Sequence, residues 1–474
     1  MPKQYLLFLL FLLSFINITA QGKFDYKVPT DILVQKKLKE WGDLKFGLMI
    51  TWGPYSQWGV VESWSLCPED EDWCKRTGPY AGNWYEYKKA YENLQTSFNP
   101  VKFNPGKWAA AAKDAGMRYM LAMAKHHDGF CMFDTRTTDY KITSAKTPFS
   151  KDKRSDVTKE ILNAFRKEGM MPGIYFSKPD WHTPDYWWSY FPPKDRNPTY
   201  DTKKYPEIWK RFQDFTYTQF EELMSNYGKV DILWLDGGWV RPFSSIDSSV
   251  SWQRTIPYNQ DIDMPKIAAM ARSKQPGMLI VDRTVAGEYE NYLTPEAMIP
   301  SDTNPIPWES CMPMSSSWSY VPNAKNKSAN TLIHMLCNAV SKGGNFLLNV
   351  APGPDGEWDD SSYYRLKEIG AWMKVNDEAI YGTTFIKPYK EGKFVFTKKN
   401  NDVYAIYLAG ENEEMPENIR ISSFQKKSST KVFLLGYGKP LATGNNNIID
   451  IVIPQKLRSD PPVKHAWVFK ITGQ

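Results

Sequence analysis

One aspartate, Asp236, ends one of the most apolar stretches of the chain, VDILWLD (230–236), and is followed by Gly237 and Gly238. A carboxylate closing a strand buried on both faces costs free energy unless it is paired or put to chemical use. Two further apolar runs end in the same manner. MRYMLAMA (117–124) leads into Lys125-His126-His127-Asp128-Gly129-Phe130, and MLIV (278–281) leads into Asp282-Arg283. The paired imidazoles suit hydrogen bonding to substrate hydroxyls, being planar, amphipathic and partly cationic near neutral pH. Each group also has a purely structural alternative. Asp236 could cap a helix or pair at a rim, His126 and His127 could be core or capping residues, and Arg283 could pair with Asp282 or clamp a ligand.

These side chains share one setting, the C-terminal end of a strand. FGLMITW (46–52), MRYMLAMA, PGIYFSK (172–178), VDILWLD and MLIVDR (278–283) read as strands. PGKWAAAAKDAG (105–116), KEILNAFRKEGM (159–170), WKRFQDFTYTQFEELMSNYG (209–228), PKIAAMARSKQPG (265–277) and YYRLKEIGAWMKVN (363–376) read as helices. The alternation predicts parallel βα units, and more than six of them favour a closed barrel over an open sheet. In such a barrel the polar strand ends gather at one mouth. No Gly-rich phosphate loop follows any strand, which speaks against nucleotide binding. Beyond about residue 385 short alternating runs (FVFTKKNNDVYAIYLAG, IRISSF, TKVFLLGYG, NIIDIVI, HAWVFKI) predict an antiparallel β-sandwich. The expected division is a leader over 1–20, a (β/α)8-like barrel over 21–384 and a sandwich over 385–474.

Composition narrows the partners. The 59 basic and 53 acidic residues give a net charge of +6 spread along the chain, without the basic stripe that nucleic-acid binding requires. Aromatics make up 15% of residues, with 19 Trp and 27 Tyr. That supply fits either a large core or surfaces that pack on the C–H faces of pyranose rings. Residues 1–20 read as a cleavable export signal, with Lys3, an apolar core from Leu6 to Ile16 and Ala20 before Gln21. The expectation is therefore a secreted or periplasmic chain with no membrane anchor. Among five cysteines, Cys67 and Cys74 are the nearest candidates for a pair, Cys311 and Cys337 could form another, and Cys131 reads as a buried thiol. The five histidines are scattered apart from His126-His127 and no CxxC or HxxxH spacing occurs, so no metal site is expected.

Taken in order, FNPVKFNPGKWAAAAKDAGMRYMLAMAKHHDGFCMFDT, GIYFSKPDW, DILWLDGGW, VDR…TPE and GGNFLLNVAPGPDGEW…LKEIGAWMKVNDEAIYGT resemble the signature of glycoside hydrolase family 29, the α-L-fucosidases. The resemblance runs from about residue 40 to 384. It implies a barrel followed by a β-sandwich, and a retaining exo-hydrolase of terminal α-L-fucosyl units that needs no metal or other cofactor. Residue by residue, Asp236 matches the nucleophile and Glu296 the general acid/base, with Glu288 and Glu290 as nearby alternatives. His126, His127, Tyr175, Trp234 and Arg283 match the sugar pocket, with Trp84 and Trp318 as candidate aromatic walls. Two positions depart from the family pattern. Thr51 stands where a histidine is usual, which predicts a wider, less basic pocket and opens α-L-galactosidase activity. Asn83 stands where some relatives place an assisting glutamate. A glycan-binding protein that has lost catalysis is the alternative of another class. The expected partner is an oligosaccharide or glycan; oligomeric state is not legible.

Overall fold

The computed structural model describes residues 26–68, 72–444 and 447–474. The expected leader, 1–20, lies outside them, and among the described residues no helix is long and apolar enough to cross a membrane. Seven parallel strands make the principal sheet: β1 (Phe46–Ile50), β2 (Tyr119–Lys125), β3 (Met171–Ser177), β4 (Ile232–Asp236), β5 (Leu279–Asp282), β6 (Glu309–Pro313) and β7 (Asn345–Asn349). Their order is β5-β4-β3-β2-β1-β7-β6. Around them run α1 (Ile32–Leu44), α2 (Trp84–Glu92), α3 (Pro105–Asp114), α4 (Val157–Lys167), α5 (Pro206–Asn226), α6 (Met264–Lys274), α7 (Ala329–Ser341) and α8 (Asp360–Asn376).

The remaining gap between β5 and β6 is filled by an irregular stretch, residues 289–297. On one side Asp282 N donates to Tyr289 O and Asn291 N to Ile280 O. On the other, Glu309 N donates to Leu293 O and Ala297 N to Cys311 O. Isolated bridges pair Val281 with Glu290, Leu293 with Trp308 and Glu296 with Cys311. The barrel is thus seven regular strands and one irregular eighth position.

Strand periodicity builds two cores from one sheet. Met49, Leu121, Met123, Tyr175, Ile232, Trp234, Leu279, Val281, Cys311 and Leu347 fill the lumen in one buried cluster. The residues between them, among them Leu48, Ile50, Ala122, Ile174, Leu233, Leu235, Ile280 and Leu348, belong to the layer under the helices. Helix α1 closes the N-terminal end of the lumen. Its Trp41 stacks on Tyr292 with ring centroids 3.9 Å apart, meets Tyr119 edge-on at 6.2 Å, and offers its carbonyl to Asn345 Nδ2 at 2.9 Å.

The second part is antiparallel. Strands β8 (Thr384–Glu391), β9 (Phe394–Lys399), β10 (Asp402–Leu408), β11 (Asn418–Gln425), β12 (Val432–Leu434), β13 (Ile448–Val452) and β14 (Ala466–Ile471) form a five-stranded sheet, β12-β14-β10-β9-β8, and a β11–β13 pair, with a short α9 (Gln455–Ser459). The sandwich has its own core, including Phe396, Ile421, Ile449 and Phe469. Its outer residues Val395, Ile406 and Val468 join the barrel's core, and Trp372 Nε1 on α8 donates to Ala466 O at 2.9 Å. Cys311 and Cys337 do not pair; each is a free, buried thiol, as is Cys131.

Because Trp41 closes the lumen by ring stacking, Trp41→Ala should cost about 3–5 kcal/mol of stability, the range for emptying a large buried aromatic site. Denaturant unfolding measures this, and a loss below about 1 kcal/mol would contradict the plug described.

Candidate active site

The strand ladders that fill the lumen continue upward into polar side chains. Period two carries Trp234 to Asp236, Val281 to Arg283, Met49 to Thr51 and Leu347 to Asn349, all facing the same axis. At the C-terminal mouth Thr51, Trp234, Asp236 and Arg283 line a cavity of about 50 Å³ with Met49, Glu62, Trp64, Met123, His126, Tyr175, Glu296, Cys311 and Trp318.

Asp236 accepts from Tyr175 Oη on Oδ2 at 2.6 Å and from Arg283 Nη1 on Oδ1 at 3.0 Å. Burial alone would raise its pKa; the Arg283 guanidinium, with His127 and the Tyr175 hydroxyl, overrides that and holds it well below the usual carboxylate range. The same guanidinium donates through Nη2 to Glu296 Oε2 at 2.5 Å and through Nε to Thr294 Oγ1 at 3.1 Å. It lies 4.9 Å from the centroid of the Trp234 ring. Asp282 is engaged elsewhere, with Lys178 Nζ at 2.5 Å, so Arg283 is committed to the two site carboxyls.

The histidines differ from their expected state. Burial pushes His126 well below its usual pKa, with His127 adding to the effect, and pushes His127 down to about 4 against the pull of Asp236. Both are therefore neutral near pH 7, contrary to the partial positive charge expected from unperturbed imidazole. His127 Nδ1 lies 2.5 Å from Ser177 Oγ, and that hydroxyl donates to Pro179 O at 3.2 Å. With the serine hydrogen so used, His127 carries its proton on Nδ1 and offers Nε2 as an acceptor, 3.9 Å from Asp236 Oδ2. His126 Nδ1 bonds Ser63 Oγ. His126, His127 and Asp236 could together supply three metal ligands, but the Arg283 guanidinium already provides the positive charge against Asp236.

Thr51, His126, Tyr175, Trp234, Asp236, Arg283, Glu296 and Trp318 thus converge on one cavity, with His127 packed against them. Three expected residues do not. Trp84 starts α2, donates to Leu66 O at 2.8 Å and packs edge-on against Trp187, outside the cavity. Glu288 is exposed on a loop, and Glu290 is buried behind the site with Oε1 accepting from Thr284 N. Gly237 and Gly238 open no space for a ligand. A Cβ on Gly237 (φ +84°) would come within 2.2 Å of Pro179, and one on Gly238 within 2.0 Å of Thr284 Oγ1; close loop packing requires them.

Two site residues escaped the sequence reading. Asn83, where an assisting glutamate was looked for, is an exposed N-cap accepting from Tyr85 N and Glu86 N. A carboxyl that does line the cavity is Glu62, in the long excursion after β1. Burial, then repulsion from Glu296 and Asp236, pushes Glu62 up to about 8 against the Ser319 hydrogen bonds, so it holds a proton at neutral pH. Its buried Oε1 has no hydrogen-bond partner. Trp64, two residues on, packs edge-on to His127 at 5.1 Å. The one available signal was an acidic residue beside tryptophan, VESW, shortly after a strand end.

Known proteins share this arrangement of chain. A family model described as alpha-L-fucosidase matches residues 13–378, and one described as alpha-L-fucosidase C-terminal domain matches 389–472. The tissue alpha-L-fucosidase of Rattus norvegicus is 27% identical over 93% of this chain and 91% of its own length. The alpha-L-fucosidase of Branchiostoma floridae is 26% identical over 98% and 99%. Among solved structures, alpha-L-fucosidase isoenzyme 1 from Paenibacillus thiaminolyticus superposes with a TM-score of 0.74 at 28% identity, covering 93% of this chain and all of that one. Thermotoga maritima alpha-fucosidase in complex with fucose gives 0.68 at 26% identity over 94% and 97%.

The raised pKa of Glu62 has a sign that can be measured. The folded protein holds a proton that the unfolded chain loses above about 4.5, so this contribution is full below about pH 4.5 and is lost as pH rises through about 8. Glu62→Gln, which stays neutral, should gain Tm relative to wild type as pH is raised across that window. A Tm difference independent of pH would mean that Glu62 is ionised in the fold.

Proposed function

Since the chain belongs to the α-L-fucosidase family and is a glycoside hydrolase, we propose that it is a retaining exo-enzyme whose nucleophile is Asp236 and whose general acid/base is Glu296. The observation that carries this reading is the single guanidinium of Arg283 gripping both carboxyls, at 3.0 Å and 2.5 Å. Adjoining nitrogens of one planar group keep the two carboxyls close, as a double displacement needs. A small pocket at the barrel mouth suits a chain-terminal sugar.

In the first step an Asp236 oxygen forms a bond to the anomeric carbon as the glycosidic C–O bond breaks and Glu296 gives its proton to the departing oxygen. In the second, water attacks the same carbon, Glu296 takes its proton, and Asp236 is released with configuration retained. Asp236 suits attack because Arg283 and Tyr175 keep it ionised despite burial. The Arg283–Glu296 pair must open before Glu296 can act, and Glu62, which carries a proton beside it, is the adjoining source. His127 Nε2 would accept from a sugar hydroxyl, with Tyr175, Trp234 and Trp318 enclosing the ring. We take residues 1–20 as an export signal, 21–384 as the catalytic domain and 385–474 as the sandwich, with the mature chain secreted or periplasmic.

A second reading concerns the sugar itself. Thr51, almost wholly buried at the cavity wall, is shorter than the histidine usual there, and the room gained would admit a C6 hydroxyl. L-fucose is 6-deoxy-L-galactose, so α-L-galactosides would then be cleaved as well.

Asp236→Ala should lower turnover at least about a thousandfold with the fold intact. A 2-fluoro fucosyl donor should label Asp236, with product configuration read by NMR. A label elsewhere or an inverted product would end the assignment. For Thr51, the ratio of aryl α-L-galactoside to α-L-fucoside hydrolysis should fall in Thr51→His; an unchanged ratio removes the second reading.

A further inference from the structure

Seven aromatic side chains are broadly exposed among the described residues, and all but Tyr364 lie between a barrel strand's C-terminal end and the helix that returns from it. These six, Trp73, Tyr80, Tyr85, Tyr190, Phe243 and Trp252, therefore belong to the face that carries the cavity. Single exposed aromatics are ordinary on a protein surface, but a ring at the rim of a sugar pocket has an evident use. Of the six, Trp73 alone has a described ring contact with a side chain lining the cavity. It is 51% exposed and meets Trp64 edge-on, with centroids 5.2 Å apart.

Trp64 is fixed from several sides. It packs against His127 at 5.1 Å, Trp181 at 5.5 Å and Trp239 at 5.8 Å, and the Arg196 guanidinium lies 5.0 Å from its centroid. Trp73 sits in a short 3-10 turn, Asp72–Cys74, anchored by the buried Cys74. The two tryptophans thus make a continuous aromatic surface from the inner pocket to solvent. Glu62, two residues before Trp64, interacts electrostatically with Glu296, so this wall adjoins the side on which the leaving oxygen is protonated.

We propose that Trp73 is the platform for the sugar unit next to the one cleaved, whose apolar C–H face packs on the open side of the indole. This rests on the glycosidase reading above and adds where the leaving group sits. Trp73 then contributes to recognition of a glycan leaving group and nothing to a leaving group without a ring.

The test compares two substrates of the full-length enzyme. One is α-L-fucosyl fluoride, whose leaving group is a single atom. The other is the fucosylated oligosaccharide that wild type cleaves fastest in a linkage panel. Trp73→Ala should lose about three- to tenfold in kcat/KM on the oligosaccharide, the worth of one aromatic packing contact, mainly through KM. On the fluoride it should match wild type, and Trp73→Phe should restore most of the oligosaccharide rate. Equal losses on both substrates would show that Trp73 only props Trp64, and no loss on either would show that it meets no sugar; both overturn the proposal. Wild type that fails to hydrolyse the fluoride would instead strike the glycosidase reading, and this proposal with it.

Discussion

The site depends on one buried cation between two carboxyls. Burial by itself disfavours ionised Asp236, and without a compensating charge the group would keep its proton and lose nucleophilicity. Arg283 supplies that charge from 3.0 Å. Its position is over-determined, with Nε on Thr294, one face toward Trp234, and the neighbouring Asp282 diverted to Lys178. Arginine fits because its fixed fork addresses both acids and Thr294 from set directions, where a lysine ammonium is a single point charge on a flexible stem.

Thr294 and Glu296 both come from the irregular stretch that closes the ring between β5 and β6. Barrel closure and site assembly are therefore one event: until residues 289–297 pair with both neighbours, Arg283 lacks two of its three anchors. Below, Glu309 ties the layers together, accepting from Tyr119 at 2.6 Å and from Trp234 Nε1 at 3.3 Å. Burial pushes Glu309 up to about 7, against the Tyr119 and Trp234 hydrogen bonds and the Arg283 charge above.

What the sequence made legible follows from period two. Residues 230–236 and 278–283 alternate between two apolar environments, so the residue two steps past the last lumen-facing side chain, Trp234 or Val281, had to face the mouth. Asp236 and Arg283 were readable for that reason, as were the sandwich runs, where alternation is open to view. Glu62 was not, because the excursion from Thr51 to Asn104 has no strand period to fix the direction of a side chain. Trp84 misled for the same reason, its indole turning to Leu66 O instead of the cavity. The charge state of the histidines was hidden because burial arises from the packing of Tyr55, Trp64, Trp181 and Trp239 around them, which no local pattern encodes. The eighth barrel position was hidden too, since Pro295 and isolated bridges leave no alternating run to see.

The two carboxyls are held differently, and the difference matches the work proposed for each. Asp236 ends a regular strand, has a side chain 19% exposed and is fixed by two donors; an attacking atom gains from such fixity because the approach to one carbon tolerates little misplacement. Glu296 sits on the irregular stretch, 47% exposed and tied to one donor. In the proposed double displacement the acid first releases its guanidinium, then protonates an oxygen and later deprotonates water, and it gains from a side chain that can turn. A regular eighth strand would have held Glu296 as firmly as Asp236. The break in regularity therefore gives the site one fixed carboxyl and one that can move, closed around a single cation.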